Sequence, residues 1–397
     1  MISPSLRSAS TLLRGWMIDY ALPFWAGPGF DHQHGRFEER LSLQGERVLD
    51  TPLRLMVQAR QIYVYALAAR RKWHDGAQAL AEQAYASMVR DFYRRGGRDG
   101  WVHSIARDGA IADPQHDLYG HAFALLAVAS YVQLTGKREA LALADETLAF
   151  LDAKLRAVKG GGYVEALPIS DRPRRQNPHM HLFEALLALS SSSGDGRYLA
   201  KVGELFELFT SRFFRADAGT LGEYFDASLE PAAGVAGSIV EPGHHYEWIW
   251  LLRSFERQCG RAVQPYVDAL YVHADGHGYD NAGLIVDETL IDGSHRTPTR
   301  RIWPATEAIK ANLAEARLGR KNSATKAASL ARMLHTHFLS RSLLGGWTDR
   351  LDANGAVATD FMPASTFYHI ACAIDELDRY ASQSSPQDEA RNANEGF

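Results

Sequence analysis

The segment Glu241-Pro-Gly-His244-His245-Tyr246-Glu247-Trp248 sets an imidazole and a carboxylate three residues apart, directly after a Pro-Gly pair suited to opening a helix. On a helix these two side chains share a face, so Glu247 could orient His244. An imidazole titrates near neutrality and suits general acid or base work. His245 points to another face and reads as structural. A second segment, Asn177-Pro-His179-Met180-His181, offers Asn177 as an N-cap with Pro178 at the first helical position. His181 then stacks one turn above Asn177, whereas His179 diverges and reads as a supporting residue. In Met362-Pro-Ala-Ser-Thr-Phe-Tyr-His369 a further histidine stands among residues suited to packing.

Arg60, in Gln58-Ala-Arg60-Gln61-Ile-Tyr63, is almost surrounded by apolar neighbours on its helix. A buried guanidinium needs an anionic or strongly polar partner. A sugar hydroxyl or a developing enolate oxygen would serve, and so would a structural ion pair with Glu247 or Glu307. Arg301-Ile-Trp303-Pro-Ala-Thr-Glu307 adds an aromatic platform and a carboxylate. P-loop, GxGxxG, HExxH, CxxC and GxSxG patterns are absent, so no cofactor is expected. Histidines can hold metals, but His244 and His245 diverge and no acidic cluster supports them, so no metal is expected either.

These residues must be positioned by helices, because apolar periodicity fills roughly 4–24, 51–72, 76–95, 115–135, 137–156, 177–193, 197–215, 240–258, 263–275, 303–317, 323–341 and 364–381. A glycine followed closely by an aromatic residue recurs at Gly35-Arg36-Phe37, Gly100-Trp101, Gly162-Tyr163, Gly222-Glu223-Tyr224, Gly278-Tyr279 and Gly346-Trp347. Six helix–turn–helix units cannot each bury an apolar face alone, whereas a closed ring buries all of them. The expected architecture is an all-α (α/α)6 barrel of about twelve helices with short hairpin-like loops. It would form a single domain over 1–381, followed by a polar, disordered tail over 382–397. About 20 residues beyond the six markers lie Arg60, His121, His181, His244, Trp303 and His369. In a ring of equivalent units these would converge on one cavity.

Composition narrows the partners. With 43 basic and 47 acidic residues and a net charge of −4, neither nucleic acid nor an anionic membrane is indicated. Arg7, Arg14 and Asp19 interrupt any signal-peptide core, and no run of about 18 apolar residues suggests a membrane span. Cys259 and Cys372 in apolar helical stretches fit a reducing compartment. The reading is a cytoplasmic enzyme of small molecules, monomeric or homodimeric.

Gln58-Ala-Arg60, Asp117-Leu-Tyr119-Gly-His121-Ala-Phe123, Asn177-Pro-His-Met-His181, Pro242-Gly-His244-His-Tyr-Glu247-Trp, Trp303-Pro-Ala-Thr-Glu307 and Ser365-Thr-Phe-Tyr-His369 occur in this order along nearly the whole chain. Together they resemble the N-acylglucosamine 2-epimerase superfamily. The resemblance implies an (α/α)6 barrel without a required metal that isomerises or epimerises sugars. It further implies His244 and His369 as the acid/base pair and Arg60 as stabiliser of an enediolate oxygen. Asn177 and His181 would bind sugar, Glu247 would support His244, and Trp303, Glu307, His116 and Tyr119 would line the cavity. The Phe367-Tyr368-His369 ending and the Trp303–Glu307 segment are more similar to the mannose isomerase branch, which favours a monosaccharide.

The expected reaction is proton transfer through a cis-enediolate, converting mannose to fructose. Returning the proton to the far face of C2 would instead give a 2-epimerase of N-acylglucosamine or a related aldose. Arg172, Arg174 and Arg175 raise mannose 6-phosphate as a substrate. Two other classes also remain at this stage. An inverting glycoside hydrolase would use Glu247 and Glu307 about 6.5–9.5 Å apart, and a silent sugar-binding protein would need no convergent histidines.

Overall fold

The computed structural model describes residues 2–382. Six helices, Leu55–Arg70, Leu118–Thr135, Asn177–Ser193, Pro242–Cys259, Trp303–Arg317 and Phe367–Ser382, are buried on nearly every face. A helix with no solvent face belongs in the middle of a fold, and each of the six packs on the next, with the last closing on the first. Around them run Pro4–Trp16, Ala77–Phe92, Leu141–Phe150, Gly196–Leu208, Gln264–His277 and Ser323–Leu334, each with an exposed side. The first of these continues through a π-helical turn, Met17–Ala21, into Leu22–Ala26. The architecture is the (α/α)6 barrel, and the helices begin and end close to the periodic stretches of the sequence. The predicted tail lies outside the described residues, except that Ser382 is the last residue of the final helix.

A cyclic ladder sets where each inner helix begins. Antiparallel pairs join Arg54 to Ser104, Asp117 to Ala166, Arg175 to Tyr224, Val240 to Thr289, Arg301 to Arg350 and Pro363 to Arg40. In each pair the first residue lies just before an inner helix and the second belongs to the following unit. The sixth pair returns to the first unit, so the loops close a ring as the helices do. All six inner N-termini are thereby tied to one end of the barrel.

Behind this ladder lies a repeated hydrogen bond. The backbone N–H of Phe37, Trp101, Tyr163 and Leu221 donates to Gln58 Oε1, His121 Nε2, His179 Nε2 and His245 Nε2 at 2.8, 3.3, 3.0 and 3.2 Å. In the three histidines Nδ1–H donates to the carbonyl four residues earlier, Asp117, Arg175 and Glu241. An imidazole that accepts at one nitrogen and donates at the other is neutral. Burial agrees, pushing His121 down to about 4 and His179 and His245 to about 3. His121, expected in the cavity ring, is therefore a strut between helix and loop. The fourth marker is also displaced: Leu221 takes the place assigned to Tyr224, following Gly219, whose φ is +64°.

Leu118–Thr135 is long and apolar enough to span a bilayer by composition, contrary to the expectation that no such stretch exists. It is an inner helix, 72% buried inside the protein, so its apolar character is explained by the barrel. Both cysteines are free thiols.

Replacing His121 with alanine leaves the Trp101 amide without its acceptor, and should destabilise the fold by about 1–3 kcal/mol. Denaturant unfolding measures this, with turnover per folded molecule retained. Lost turnover at unchanged stability would instead return His121 to the cavity.

Candidate active site

Two residues beyond each strut lie Arg60, Phe123, His181 and Glu247, one full set of inward positions on four successive helices. Phe123 thus occupies the place expected for His121. Its ring lies 4.5 Å from that of His181 and 4.2 Å from the guanidinium carbon of Arg60. Tyr119 packs edge-on against His181 at 5.2 Å and accepts a 2.7 Å hydrogen bond from Arg60. The ring is completed by Glu307 and His369, joined at 2.8 Å. Trp303 stands between the two histidines proposed from sequence, 5.0 Å from His244 and 5.7 Å from His369. His116 is not in this group. It donates to the Trp101 carbonyl and packs against Phe150 of the outer layer.

Three imidazoles in the cavity each donate Nδ1–H to a carboxylate: His181 to Glu184 at 3.0 Å, His244 to Glu223 at 2.9 Å and His369 to Glu307 at 2.8 Å. This fixes each ring and leaves Nε2 for chemistry. The partner of His244 is therefore Glu223, from the loop before its helix, and not Glu247 three residues on. Glu247 lies 3.9 Å from His181 Nε2, with its Oε1 unpartnered. Glu223 and Glu184 were missed in the sequence reading. Glu223 stood inside the Gly222-Glu223-Tyr224 marker, and Glu184 sits at the i,i+3 position from His181.

The electrostatics of His244 and His369 differ. Burial opposes charge on His244, but the Glu223 and Glu241 carboxylates raise it to about 9. Burial, then the positive charges of Arg60 and Lys310, hold His369 well below the ordinary imidazole value. Burial and the neighbouring Glu307 charge hold Glu247 well above the carboxylate range. Near neutrality His244 is thus cationic and His181 and His369 are neutral, while Glu247 is shifted toward its protonated form.

Arg60 makes no ion pair with a carboxylate among the described residues. Its amino groups donate to the Ser365 carbonyl and the Tyr119 hydroxyl, and its Nε has no partner. Asn177 is the first residue of its helix rather than the N-cap, and its Oδ1 is likewise unpartnered. Buried polar atoms of both signs left without partners mark a place where a hydroxylated ligand can bind. Of the three arginines considered for a phosphate, Arg174 holds four backbone carbonyls and Arg175 pairs with Glu165.

Three groups have ligand-type atoms within 4.8 Å of one another: His181, Glu184 and Glu247; Glu223, Glu241 and His244; and Glu247, Glu307 and His369. Most of these carboxylates already have partners, Tyr368 at Glu184, Arg301 at Glu241 and Lys310 at Glu307. The last group also places Glu247 and Glu307 oxygens closer than the spacing an inverting hydrolase needs. That pair is therefore not the acid and base of such an enzyme.

Glu223→Gln should lower the titration midpoint of His244 from about 9 toward the ordinary imidazole value. Histidine NMR reads it directly, and an unmoved midpoint would show that Glu223 does not hold the proton.

The N-acylglucosamine 2-epimerase (GlcNAc 2-epimerase) family pattern matches residues 35–373. The chain is 36% identical over 376 residues to a mannose-6-phosphate isomerase of Rhizobium meliloti, covering 92% of this chain and 96% of that one. The solved structure of a cellobiose 2-epimerase from Spirochaeta thermophila superposes with a TM-score of 0.82 at 26% identity, covering 95% and 98% of the two chains. A D-mannose isomerase structure gives 0.83 at 21% identity, covering 92% and 97%, a likeness of fold. With three carboxylate-backed imidazoles and a guanidinium without a carboxylate partner in one cavity, the chain belongs to the N-acylglucosamine 2-epimerase family and is a sugar isomerase or epimerase.

Proposed function

We propose that the protein isomerises a monosaccharide aldose to its ketose, mannose to fructose, by moving a proton between C2 and C1. The observation that carries this reading is the pair of histidines flanking Trp303, one neutral and one cationic, beside an unpaired Arg60. In the open-chain aldose, His369 Nε2 takes the C2 proton and the electron pair moves onto the carbonyl oxygen at C1. Arg60 stabilises the resulting enediolate oxygen, as fixed donors do for developing anions. His244 supplies and recovers the hydroxyl protons as O1 becomes a hydroxyl and O2 a carbonyl. His369 then returns its proton to C1. Asn177, His181 and Glu247 would bind the remaining hydroxyls, with Trp303 under the sugar.

A monosaccharide is favoured by the residues before His369. Phe367 is fully buried against Trp25 and Trp347, and Tyr368 is fully buried with its hydroxyl on Glu184. Neither presents a face to a second sugar ring. Mannose 6-phosphate is a second candidate, favoured by the relative from Rhizobium meliloti and opposed by the internal partners of Arg174 and Arg175.

Proton NMR in D2O with mannose, glucose, N-acetylglucosamine, cellobiose and mannose 6-phosphate separates these outcomes. A newly formed ketose is expected from mannose, with deuterium at C1 to the extent that the proton on His369 exchanges with solvent before its return. An aldose inverted at C2 would make the enzyme an epimerase, and reaction of the phosphorylated sugar alone would transfer the assignment to it.

His244→Ala and His369→Ala should each lower turnover by about 10²–10⁴-fold, and near wild-type rates in both would eliminate the mechanism. The pH profile has a defined sign. His244 must hold its proton, so the rate should fall as pH rises through about 9. His369 must be neutral, so the acidic limb should lie well below the ordinary imidazole value.

A further inference from the structure

Lys310 is completely buried and has no route to a substrate, yet it lies on the same helix as Trp303 and Glu307. Its Nζ is 2.6 Å from Glu307 Oε2 and 4.0 Å from the centre of the Trp250 ring. The other oxygen of Glu307 accepts the His369 Nδ1–H at 2.8 Å. Ammonium, carboxylate and imidazole thus form one line from the core to the cavity. A buried ammonium is unfavourable unless the surroundings use its charge, and the proton-transfer scheme above does not call on it.

The corresponding line behind His244 is different. Glu223 receives only neutral donors besides His244: Gln176 Nε2 at 3.0 Å and the Glu241 amide at 3.4 Å. Gln176 is held in turn by the Trp248 indole at 2.7 Å. Glu241, whose own charge is met by Arg301, adds a second carboxylate 4.0 Å from the imidazole. Of the two carboxylates that accept the Nδ1–H groups of His244 and His369, only the one behind His369 is in contact with a cation among the described residues.

We propose that Lys310 is a positioning residue: its ammonium neutralises Glu307, so that His369 rests neutral and becomes the histidine that accepts the carbon-bound proton. The assignment rests on the proton-transfer reading above. It divides the labour between two otherwise similar imidazoles by what stands behind their carboxylates. The other groups facing His369 are Arg60 from the first inner helix, His181 and Glu184 from the third, and Glu247 from the fourth. Its own helix adds Tyr368 at 5.1 Å between ring centres. Arg60 works in the same direction as Lys310, but it also meets the substrate, whereas Lys310 acts only through Glu307.

The test is long-range proton–nitrogen NMR of the full chain with ring-labelled histidine, on the wild type, Lys310→Met and the double variant Lys310→Met/Glu307→Gln. In the wild type at neutral pH, His369 should be neutral with its proton on Nδ1, while His244 is cationic. In Lys310→Met the Glu307–His369 pair should take up a proton at a tenfold or more lower proton concentration, whichever partner carries it. The acidic limb of kcat/KM should move to higher pH with it. In the double variant the carboxylate bonded to Nδ1 is gone, and His369 should again rest neutral.

An unchanged pair titration in a folded Lys310→Met protein, whatever its rate, overturns the proposal. So does a wild-type His369 that is cationic at neutral pH, a result that needs no variant to fold. The expected titrations without ketose formation from any sugar would sink the isomerase reading and leave the role of Lys310 intact. Ketose formation with an unmoved titration would do the reverse.

Discussion

Every inner helix starts where a short strand has just paired with the next unit of the barrel, and the rest of the structure depends on that pairing. It holds six helix N-termini at one end of the ring. Side chains one to two turns into the helices then project toward the same axial space. Arg60, His181, Glu247, Glu307 and His369 are distant in sequence, but they meet because their helices begin at a common level. The struts made by Gln58, His121, His179 and His245 fix the height of four of these helices against their own loops.

Within that frame, charge decides what each group can do. The floor of the cavity carries the carboxyl groups of Glu184, Glu247 and Glu307 and the cation Arg60, with Lys310 behind Glu307, all at most 4% exposed. Burial disfavours every charge there, so each ionised group depends on its neighbour. Burial shifts both Glu247 and Glu307 upward, and Lys310, in contact with Glu307, opposes the shift there. His244 lies in the first turn of its helix, an end that disfavours a cation. The carboxylates of Glu223 and Glu241 outweigh that effect and keep it charged.

The twelve helices were legible because inner and outer helices both carry apolar residues at helical spacing, and proline or asparagine marks several of the starts. The ring of six units was legible from the glycine–aromatic markers. The site was read less evenly. His121 and His181 are the same residue type about the same distance past a marker, and only their hydrogen bonds separate strut from cavity wall. A second regularity was present in the sequence: Gln58, His121, His179 and His245 are each followed two positions later by Arg60, Phe123, His181 and Glu247. Aligning on that pair would have placed Phe123 correctly. Glu223 was hidden for another reason. A carboxylate 21 residues before His244 meets it only after the loop folds back, whereas Glu247 had the simpler claim of helical spacing.

The ring has no structural beginning. The first helix packs on the last, with Ser10 and Arg14 both directed at Asp378, and the strand before the last helix pairs with the loop after the first. The two ends of the barrel are therefore neighbours, and the peptide bonds between units matter less than the contacts between them. A gene rearranged to join those ends and open the chain at an exposed turn between an outer helix and its inner neighbour would encode the same circle of contacts. In such a circular permutant, the order in which Arg60, His244 and His369 leave the ribosome would change, while their order around the cavity would not.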